Sequence, residues 1–436
     1  MARKAIQSGD LRTPRHGTIA AIFAVQDPVL LLDGVRRVLG RAFSWRHAGA
    51  DLAALVQPAP GNVAGLDMAR SAAVLLVICH HFAYEWRTAG LPAVAIFKAP
   101  MFHWGWTGVD LFFVLSGCLI GQQLWREFTQ TGRVRVLRFL GKRGLRIWPL
   151  YFSTLIVLAL IGSRFAPLWP DWLLVSNYFS GLGYIRGWSL STEEHFYIFV
   201  PLMFVVAGRW RSKALAASAF AACLLVVPIF RAIAAANLRS QGVRDSIISD
   251  RLYTSFHLHA EALFVGMLLA FLYTQVTERD SRRTRATQWA LVAAAVIGVA
   301  LRAYDKIVFP YLALALIYGS VVWFLWNAQG VVDRVARVPI FHAIARLSFG
   351  MYLNHLIDAN AVPRAVSIAA MLTSSVLAQC ALGLVMVTLQ SALLALVSYV
   401  VVEQPWLRTR AALFPATRTP AFATPATSAS PLPSTS

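Results

Sequence analysis

LDMARSAAVLLVICHH, residues 66–81, is the stretch that decides the fold class. Arg70 and His81 stand near its two ends, and the ten residues between them are almost wholly apolar. Eleven steps of about 100° put the two side chains on one helix face, about 16 Å apart. Ionisable groups this deep in an apolar helix usually face a protein interior or a wet cavity. A snorkelling arginine and a hydrogen-bonded core histidine are an equally good explanation of the pair alone.

The composition of the whole chain indicates a membrane protein. Of its 436 residues, 58% are hydrophobic and 14% charged, whereas a soluble domain carries about 25% charged residues. Apolar stretches of about 20 residues recur, and they are continuous rather than alternating, as in membrane-spanning helices. We therefore predict an all-α fold, a polytopic integral membrane helical bundle with about ten transmembrane helices. The predicted spans lie near residues 69–86, 108–125, 147–163, 190–208, 214–234, 260–277, 288–301, 309–326, 347–360 and 378–402.

The formal net charge of +20 would also suit a nucleic-acid partner, but the distribution of the charge argues against one. Lys and Arg concentrate in every second predicted loop, at 126–146, 209–213, 279–285 and 334–346. This alternation is the positive-inside pattern of a membrane protein. It predicts a multi-pass protein of the inner (cytoplasmic) membrane with both termini in the cytoplasm. The lipid bilayer is then the expected partner of the basic loops, and no nucleic acid is expected.

Three regions follow from the pattern of composition. Residues 1–65 are predicted to be a basic cytoplasmic N-terminal extension, with a possible amphipathic surface helix at 27–45. Residues 66–408 form the membrane-embedded domain. Residues 409–436 are rich in Pro, Ala, Ser and Thr and are predicted to be a disordered tail. The four cysteines all fall within predicted spans, so no disulfide framework is expected.

Polar residues within the predicted spans form two layers if the first span runs outward. The inner layer is cationic and suits the phosphates of a cytoplasmic cofactor; it holds Arg70, Arg143 and Arg146. The outer layer combines imidazole and carboxylate and suits general-base chemistry on a hydroxyl; it holds His81, Asp110, Glu193 and Glu194. The alternatives are structural: the arginines could be membrane anchors and Asp110 a helix N-cap.

A further cluster stands at another predicted helix start, where His257, His259 and Glu261 occur close together. His257 and Glu261 are one helical turn apart, which is a possible metal-ligand spacing. No clear third ligand accompanies them, so no metal is predicted.

Six segments of the chain, taken in order, resemble a known family. They are LDMARSAAVLLVICHH, GWTGVDLFFVLSGCLIG, KRGLRIWPLYF, WSLSTEEHFY, FGMYLNHL and VVEQPW, and they cover residues 66–406. This ordered set is similar to acyltransferase family 3, the polytopic membrane acyltransferases that modify cell-surface glycans. The chain departs from the family pattern at Met68, Ala69, His195, His259 and Glu261.

The resemblance implies roles only at matched positions. His81 matches the catalytic histidine of the family, Arg70 its paired arginine, and Arg143 and Arg146 the basic motif associated with acyl-CoA. The remaining polar signature is matched by Asp110, Ser116, Glu193 and Glu194. We therefore expect catalytic roles for His81, Asp110, Glu193 and Glu194, and donor binding by Arg70, Ser116, Arg143 and Arg146.

The expected function is a membrane O-acyltransferase with acyl-CoA, most simply acetyl-CoA, as donor co-substrate and no permanently bound cofactor. The acceptor would be a sugar hydroxyl of a cell-surface polysaccharide or similar glycoconjugate, with His81 as a base oriented by a carboxylate. Whether an acyl-enzyme forms on Ser116 stays open. The alternative is a polytopic secondary transporter, which predicts two repeated halves that we do not find. A non-catalytic membrane scaffold would leave the placement of the charged residues unexplained.

Overall fold

The computed structural model describes residues 40, 43, 47–58, 61–162, 167–179, 187–210, 212–276, 281–355, 357–358 and 360–415. Apart from residues 40 and 43, the amphipathic helix predicted at 27–45 lies outside the described residues, as does 416–436 of the predicted tail. The start of that tail is helical, since the last helix ends at Leu413.

Within the described residues every regular element is a helix, which confirms the predicted fold class. The principal helices are α1 Ala48–Leu55, α2 Ala64–Thr88, α3 Gly108–Thr131, α4 Val136–Leu160, α5 Gly187–Gly208, α6 Lys213–Ser240, α7 Glu261–Val276, α8 Ser281–Tyr304, α9 Pro310–Trp326, α10 Pro339–Asn354, α11 Ala361–Leu372, α12 Val376–Ser398 and α13 Gln404–Leu413. Shorter helices occur at Pro100–His103, Trp169–Trp172, Asp245–Tyr253 and Gly330–Ala336, and the turn Tyr399–Glu403 between α12 and α13 is a π-helix.

Each of the ten predicted spans falls on a helix, but not every one is long enough to cross a bilayer. Among the described residues seven helices meet the length and hydropathy required, or eight if α9 and the short helix Gly330–Ala336, bent by 93°, form one span. The other two predicted spans correspond to the 16-residue helices α7 and α10. A helix rises about 1.5 Å per residue, so 16 residues are short of the bilayer core.

Helix α4 differs most from its prediction. It begins at Val136, eleven residues before the predicted span, and Pro149 lies in its interior rather than in its first turn. The basic stretch before the span is therefore mostly helix and not loop. As a result Arg143 and Arg146 project from within a helix, where their positions are fixed by the helix backbone.

Helices α3 and α7 make the most extensive helix–helix contact of the described chain. Two glycines allow it: a Cβ on Gly117 would lie 2.2 Å from the Leu263 carbonyl oxygen, and one on Gly266 would lie 2.2 Å from that of Val114. Close approach at small residues is a common way for membrane helices to pack.

The candidate site lies where the helices are most enclosed. Helices α2 and α3 have the largest buried shares of the spanning helices, whereas α8 is almost wholly exposed to the surroundings and packs mainly on α9. Helices α4, α5 and α10 complete the wall around the site described below. Helix α6 contributes no residue to the lining of the cavity, and its Leu225 and Ile229 are exposed.

Candidate active site

A cavity of about 150 Å³ lies between α2, α3, α4, α5 and α10. Its apolar wall comes mostly from α3, including Phe112, Phe113 and Leu119. Three arginines, two from α4 and one from α2, line it together with polar groups of α5 and α10. An apolar pocket with a few convergent charged groups is the usual form of a small-molecule site.

The arginines are the three that the sequence placed in the inner layer: Arg70, Arg143 and Arg146 all line this cavity. The structure therefore brings together residues 70 and 143–146, which are far apart in the chain. Arginines that serve only as membrane anchors need not converge on a cavity. Three guanidiniums in one pocket form a suitable site for an anionic ligand.

Arg70 is held in place by a carboxylate that the sequence motif also contains. Its Nη1 donates to Asp67 Oδ1 at 3.1 Å. Asp67 Oδ2 lies 2.7 Å from His342 Nδ1 and accepts from the Asn62 amide at 2.5 Å. With this much support Asp67 fixes the direction of the arginine, whose side chain remains one quarter exposed.

Glu193 lies in the same cavity, and both of its carboxylate oxygens accept hydrogen bonds. Ser116 donates to Oε1 at 2.7 Å, and Tyr197 donates to Oε2 at 2.5 Å. The Arg143 guanidinium lies 5.8 Å from the centre of the Tyr197 ring. Glu193 and Ser116 therefore form one network with Tyr197 beside Arg143, in place of the separate outer layer that the sequence predicted for Glu193.

Tyr197 and Tyr352 are cavity residues that the sequence analysis did not select. Tyr197 stands one helical turn after Glu193, so the i, i+4 spacing within WSLSTEEHFY was a usable signal. Tyr352 lies 2.5 Å from Ser189, hydroxyl to hydroxyl, at the side of the cavity formed by α10. No local pattern could have paired Ser189 with a residue 163 positions later.

His81 is not among the residues that line the cavity, but it adjoins the cavity wall through α10. Its ring faces that of His355, with 4.9 Å between the ring centroids. His355 in turn contacts the backbone carbonyl oxygen of Tyr352, and the side chain of Tyr352 lines the cavity. His80 faces a different direction, since its Nδ1 lies 3.1 Å from the Phe102 carbonyl oxygen.

Asp110 occupies a position that the sequence did not predict. It is fully buried, and its Oδ1 lies 2.8 Å from Nε2 of the equally buried His259. The other ring nitrogen of His259 lies 2.6 Å from the Tyr253 carbonyl oxygen. Both ring nitrogens of His259 thus face oxygen atoms that can accept a hydrogen bond. The proposed carboxylate layer around His81 is therefore divided: Asp110 pairs with His259 and Glu193 faces the arginine-lined cavity.

Glu194 and Glu261 complete the set of acidic residues that the sequence singled out. Glu194 is buried next to Glu193 but does not line the cavity, and its Oε1 has no hydrogen-bond partner among the described residues. Glu261 forms a fully buried ion pair with Arg231, which also donates to the Val308 carbonyl at 2.7 Å. A ring links the two buried pairs, because Tyr311 stacks on His259 at 3.9 Å and lies 4.7 Å from the Arg231 guanidinium.

The side chains of His257, His259 and Glu261, whose spacing resembles that of metal ligands, all have partners within the protein. His259 and Glu261 have the partners just described, and His257 stacks on Tyr178. Within the described ranges no group of three or more His, Cys, Asp or Glu side chains is placed to hold a metal. Tyr253 is the residue whose backbone carbonyl contacts His259. Burial raises the pKa of its phenol well above the usual range, so the hydroxyl stays protonated.

The fold and these contacts define a class of protein: a multi-pass helical membrane protein with a buried polar site between its helices. Comparison of the sequence with known families defines it further, since a family described as "Acyltransferase domain" matches residues 63–396. The chain belongs to this acyltransferase family, the one that its ordered motifs resemble.

Individual relatives agree with the family. A Staphylococcus aureus (strain COL) protein named "Putative O-acetyltransferase" is 27% identical over 237 residues, which are 48% of this chain and 35% of the relative. O-acetyltransferase OatA of S. aureus (strain NCTC 8325) is 25% identical over 238 residues, 49% of this chain and 35% of the relative. The matched part thus spans about a third of the length of these relatives. No solved structure matches the chain.

Proposed function

We propose that the protein is a membrane O-acyltransferase that moves an acetyl group from acetyl-CoA to a sugar hydroxyl of a cell-surface polysaccharide or similar glycoconjugate. One observation carries this proposal: a cavity lined by three arginines adjoins a histidine pair through a shared residue, Tyr352. The family and the O-acetyltransferase names of the relatives support the reaction type and the choice of acetyl.

The donor would bind through Arg70, Arg143 and Arg146. Acyl-CoA is an anion with several phosphates, and planar guanidiniums bind phosphate through paired hydrogen bonds. The apolar wall next to the arginines offers a surface for the uncharged arm that carries the thioester. Ser116 and Glu193 would shape this pocket by fixing Tyr197 near Arg143.

His81 would act as the general base on the acceptor. The hydroxyl gives its proton to the ring, the oxygen forms a bond to the acyl carbon, and the carbon–sulfur bond breaks. The proton then passes from the imidazolium to the leaving thiolate, so the products are the O-acyl sugar and free CoA. In this account Asp110 supports the fold through His259, and Glu194 stands behind Glu193 without touching the substrate.

We also propose that the arginine side of the site faces the cytoplasm, because acyl-CoA is a cytoplasmic metabolite. The basic residues that precede α4 favour the same orientation by the positive-inside rule. Both termini would then be cytoplasmic and the membrane would be the inner membrane. The transporter alternative loses support, since the family that the chain matches is one of acyltransferases.

The proposal is tested with membranes that contain the protein and the surface polysaccharide of its host. Labelled acetyl-CoA is supplied from the cytoplasmic side, and label released from the polysaccharide by mild base is measured as acetate. We expect labelling that depends on the protein and on acetyl-CoA, with succinyl-CoA as the comparison donor. Membranes with and without the protein that label their polysaccharide equally would contradict the proposal.

A further inference from the structure

His81 of α2 is in direct contact with His355 at the end of α10, and the role of His355 has not yet been assigned. His355 Nε2 lies 3.2 Å from His81 Nδ1 across 274 positions of sequence. His355 is 2% exposed, and it follows the last residue of α10. Each ring also contacts a backbone carbonyl: His81 Nδ1 lies 3.0 Å from the Val77 oxygen, and His355 Nδ1 lies 2.8 Å from the Tyr352 oxygen.

These two carbonyls determine where the protons lie. A carbonyl oxygen can only accept a hydrogen bond, so each ring nitrogen facing one must be the donor. His355 therefore carries its proton on Nδ1, and so does His81. In a neutral imidazole the other nitrogen then has the lone pair.

The contact between the rings fits this assignment. The Nδ1 proton of His81 is shared between the Val77 oxygen and Nε2 of His355, which accepts with its lone pair. Nε2 of His81 consequently keeps its own lone pair, which is the form a general base requires. Asp110 Oδ1 is paired with His259, and both oxygens of Glu193 accept from other groups.

We propose that His355 is a positioning residue for His81: it fixes the Nδ1-protonated tautomer and accepts that proton more strongly once His81 becomes an imidazolium. The role corresponds to the third member of a catalytic triad, with a neutral imidazole in place of a carboxylate. The catalytic part of this inference rests on the proposed function, whereas the tautomer does not. No proton leaves His355, so the reaction balances as written for His81 alone.

Matched substitutions at position 355 test which atom matters. Gln can place an amide oxygen near the Nε2 position, within reach of His81, whereas Asn reaches only the Nδ1 position and the Tyr352 carbonyl. We expect His355→Ala and His355→Asn to lower kcat about 10- to 100-fold, the share of one hydrogen bond to a charged group. His355→Gln should recover most of this loss. The KM for acetyl-CoA should stay within about twofold in all three, because the arginine cavity is untouched.

A purely structural role predicts a different pattern. Equal losses in the Asn and Gln variants, or a wild-type kcat in His355→Ala, would overturn the positioning role. Thermal unfolding in detergent shows whether each variant is folded. A lower activity caused by unfolding is thereby distinguished from a lower kcat of the folded protein. His80→Ala serves as the control, since His80 faces the Phe102 carbonyl on another side of α2.

A spectroscopic measurement separates this inference from the proposed function. In wild-type protein labelled with ¹⁵N-histidine, the His81 signals are assigned by their loss in His81→Asn. We expect a protonated Nδ1 and an unprotonated Nε2 in the wild type, and a mixture of tautomers in His355→Ala. An Nε2-protonated His81 in the wild type would overturn the inference even if acetyl transfer is observed. The expected tautomer in a protein without transfer activity would leave the pair intact and reject the proposed function.

Discussion

His80 and His81 show how much one step along a helix decides. Adjacent positions differ by about 100° around the axis, so the two rings cannot share a face. The structure places His80 against the Phe102 carbonyl and His81 against His355. Residue 81 is therefore the one that we propose as the base, and the helical spacing puts it on the same face of α2 as Arg70.

Replacing each histidine in turn should separate the two roles. We expect His81→Ala to give a folded protein whose transfer rate falls by roughly 10²–10⁴-fold, the usual share of a general base. His80→Ala should retain most of the activity. The measurement is acetylation of the surface glycan at equal protein level in the membrane. A wild-type rate in His81→Ala would require a different base.

Arg146 provides a test of donor binding. It lines the cavity, so Arg146→Ala should raise the apparent Kd for acetyl-CoA about tenfold or more, since one charge-assisted contact contributes about 1.5–3 kcal/mol. The control is Arg135→Ala, because Arg135 is exposed and pairs with Glu127 away from the cavity. Equal donor affinity in both variants would assign Arg146 to lipid anchoring instead.

At the scale of helices, a buried ion pair connects α6 and α7, a contact that the hydropathy of each helix does not predict. Arg231 on α6 and Glu261 at the start of α7 are both fully buried. Removing one member leaves the other charge without compensation, which costs about 3–5 kcal/mol. We expect Glu261→Ala to lower the free energy of unfolding by that order, seen as a large drop in Tm in detergent.

The matched control for that variant is an exposed pair. Asp333 and Arg337 form an ion pair of the same kind at 2.8 Å, but the arginine is 66% exposed. Exposed pairs contribute only about 0–1 kcal/mol, so Asp333→Ala should leave Tm nearly unchanged. Similar Tm values for the Glu261 and Asp333 variants would show that the buried pair does not hold α6 and α7 together.

The crossing of α3 and α7 makes a second prediction for helix packing. Gly266→Ala would put a methyl group 2.2 Å from the Val114 carbonyl oxygen, so the helices must move apart. We expect a loss of about 1–3 kcal/mol, as for other overpacked contacts, measured by thermal unfolding. In α1, Gly49 has open space around its Cβ position, and Gly49→Ala should be neutral or slightly stabilising. A Gly266→Ala protein as stable as wild type would place the two helices farther apart.

At the scale of the whole molecule, the proposed orientation in the membrane predicts which residues are accessible from outside the cell. Leu173 follows α4 and Arg133 precedes it, and both side chains are exposed. In a background without the four native cysteines, Leu173→Cys should react with a membrane-impermeant maleimide added to intact cells. Arg133→Cys should react only after the membrane is opened. The opposite result would invert the proposed topology and remove the cytoplasmic entry for acyl-CoA.

The sequence by itself determined the class of fold and the family. Continuous apolar stretches such as residues 69–86 must become helices in lipid, because only a helix satisfies the backbone within one segment. The same local patterns fixed the motifs around Arg70, Ser116, Glu193 and Arg143, which the structure brings to one cavity. At α4 the helix begins eleven residues before the predicted span, because hydropathy locates the apolar stretch and not the basic first turns of the helix.

Only the tertiary structure decided which polar groups are partners. Asp110 meets His259 across 149 positions, and His81 meets His355 across 274. Spacing along one helix shows which face a side chain occupies but not which other helix packs there. That choice depends on close contacts such as Gly117 against α7, where the removal of a single Cβ sets the distance between helices. The contacts of Asp110 with His259 and of His81 with His355, on which the proposed roles rest, therefore follow from packing.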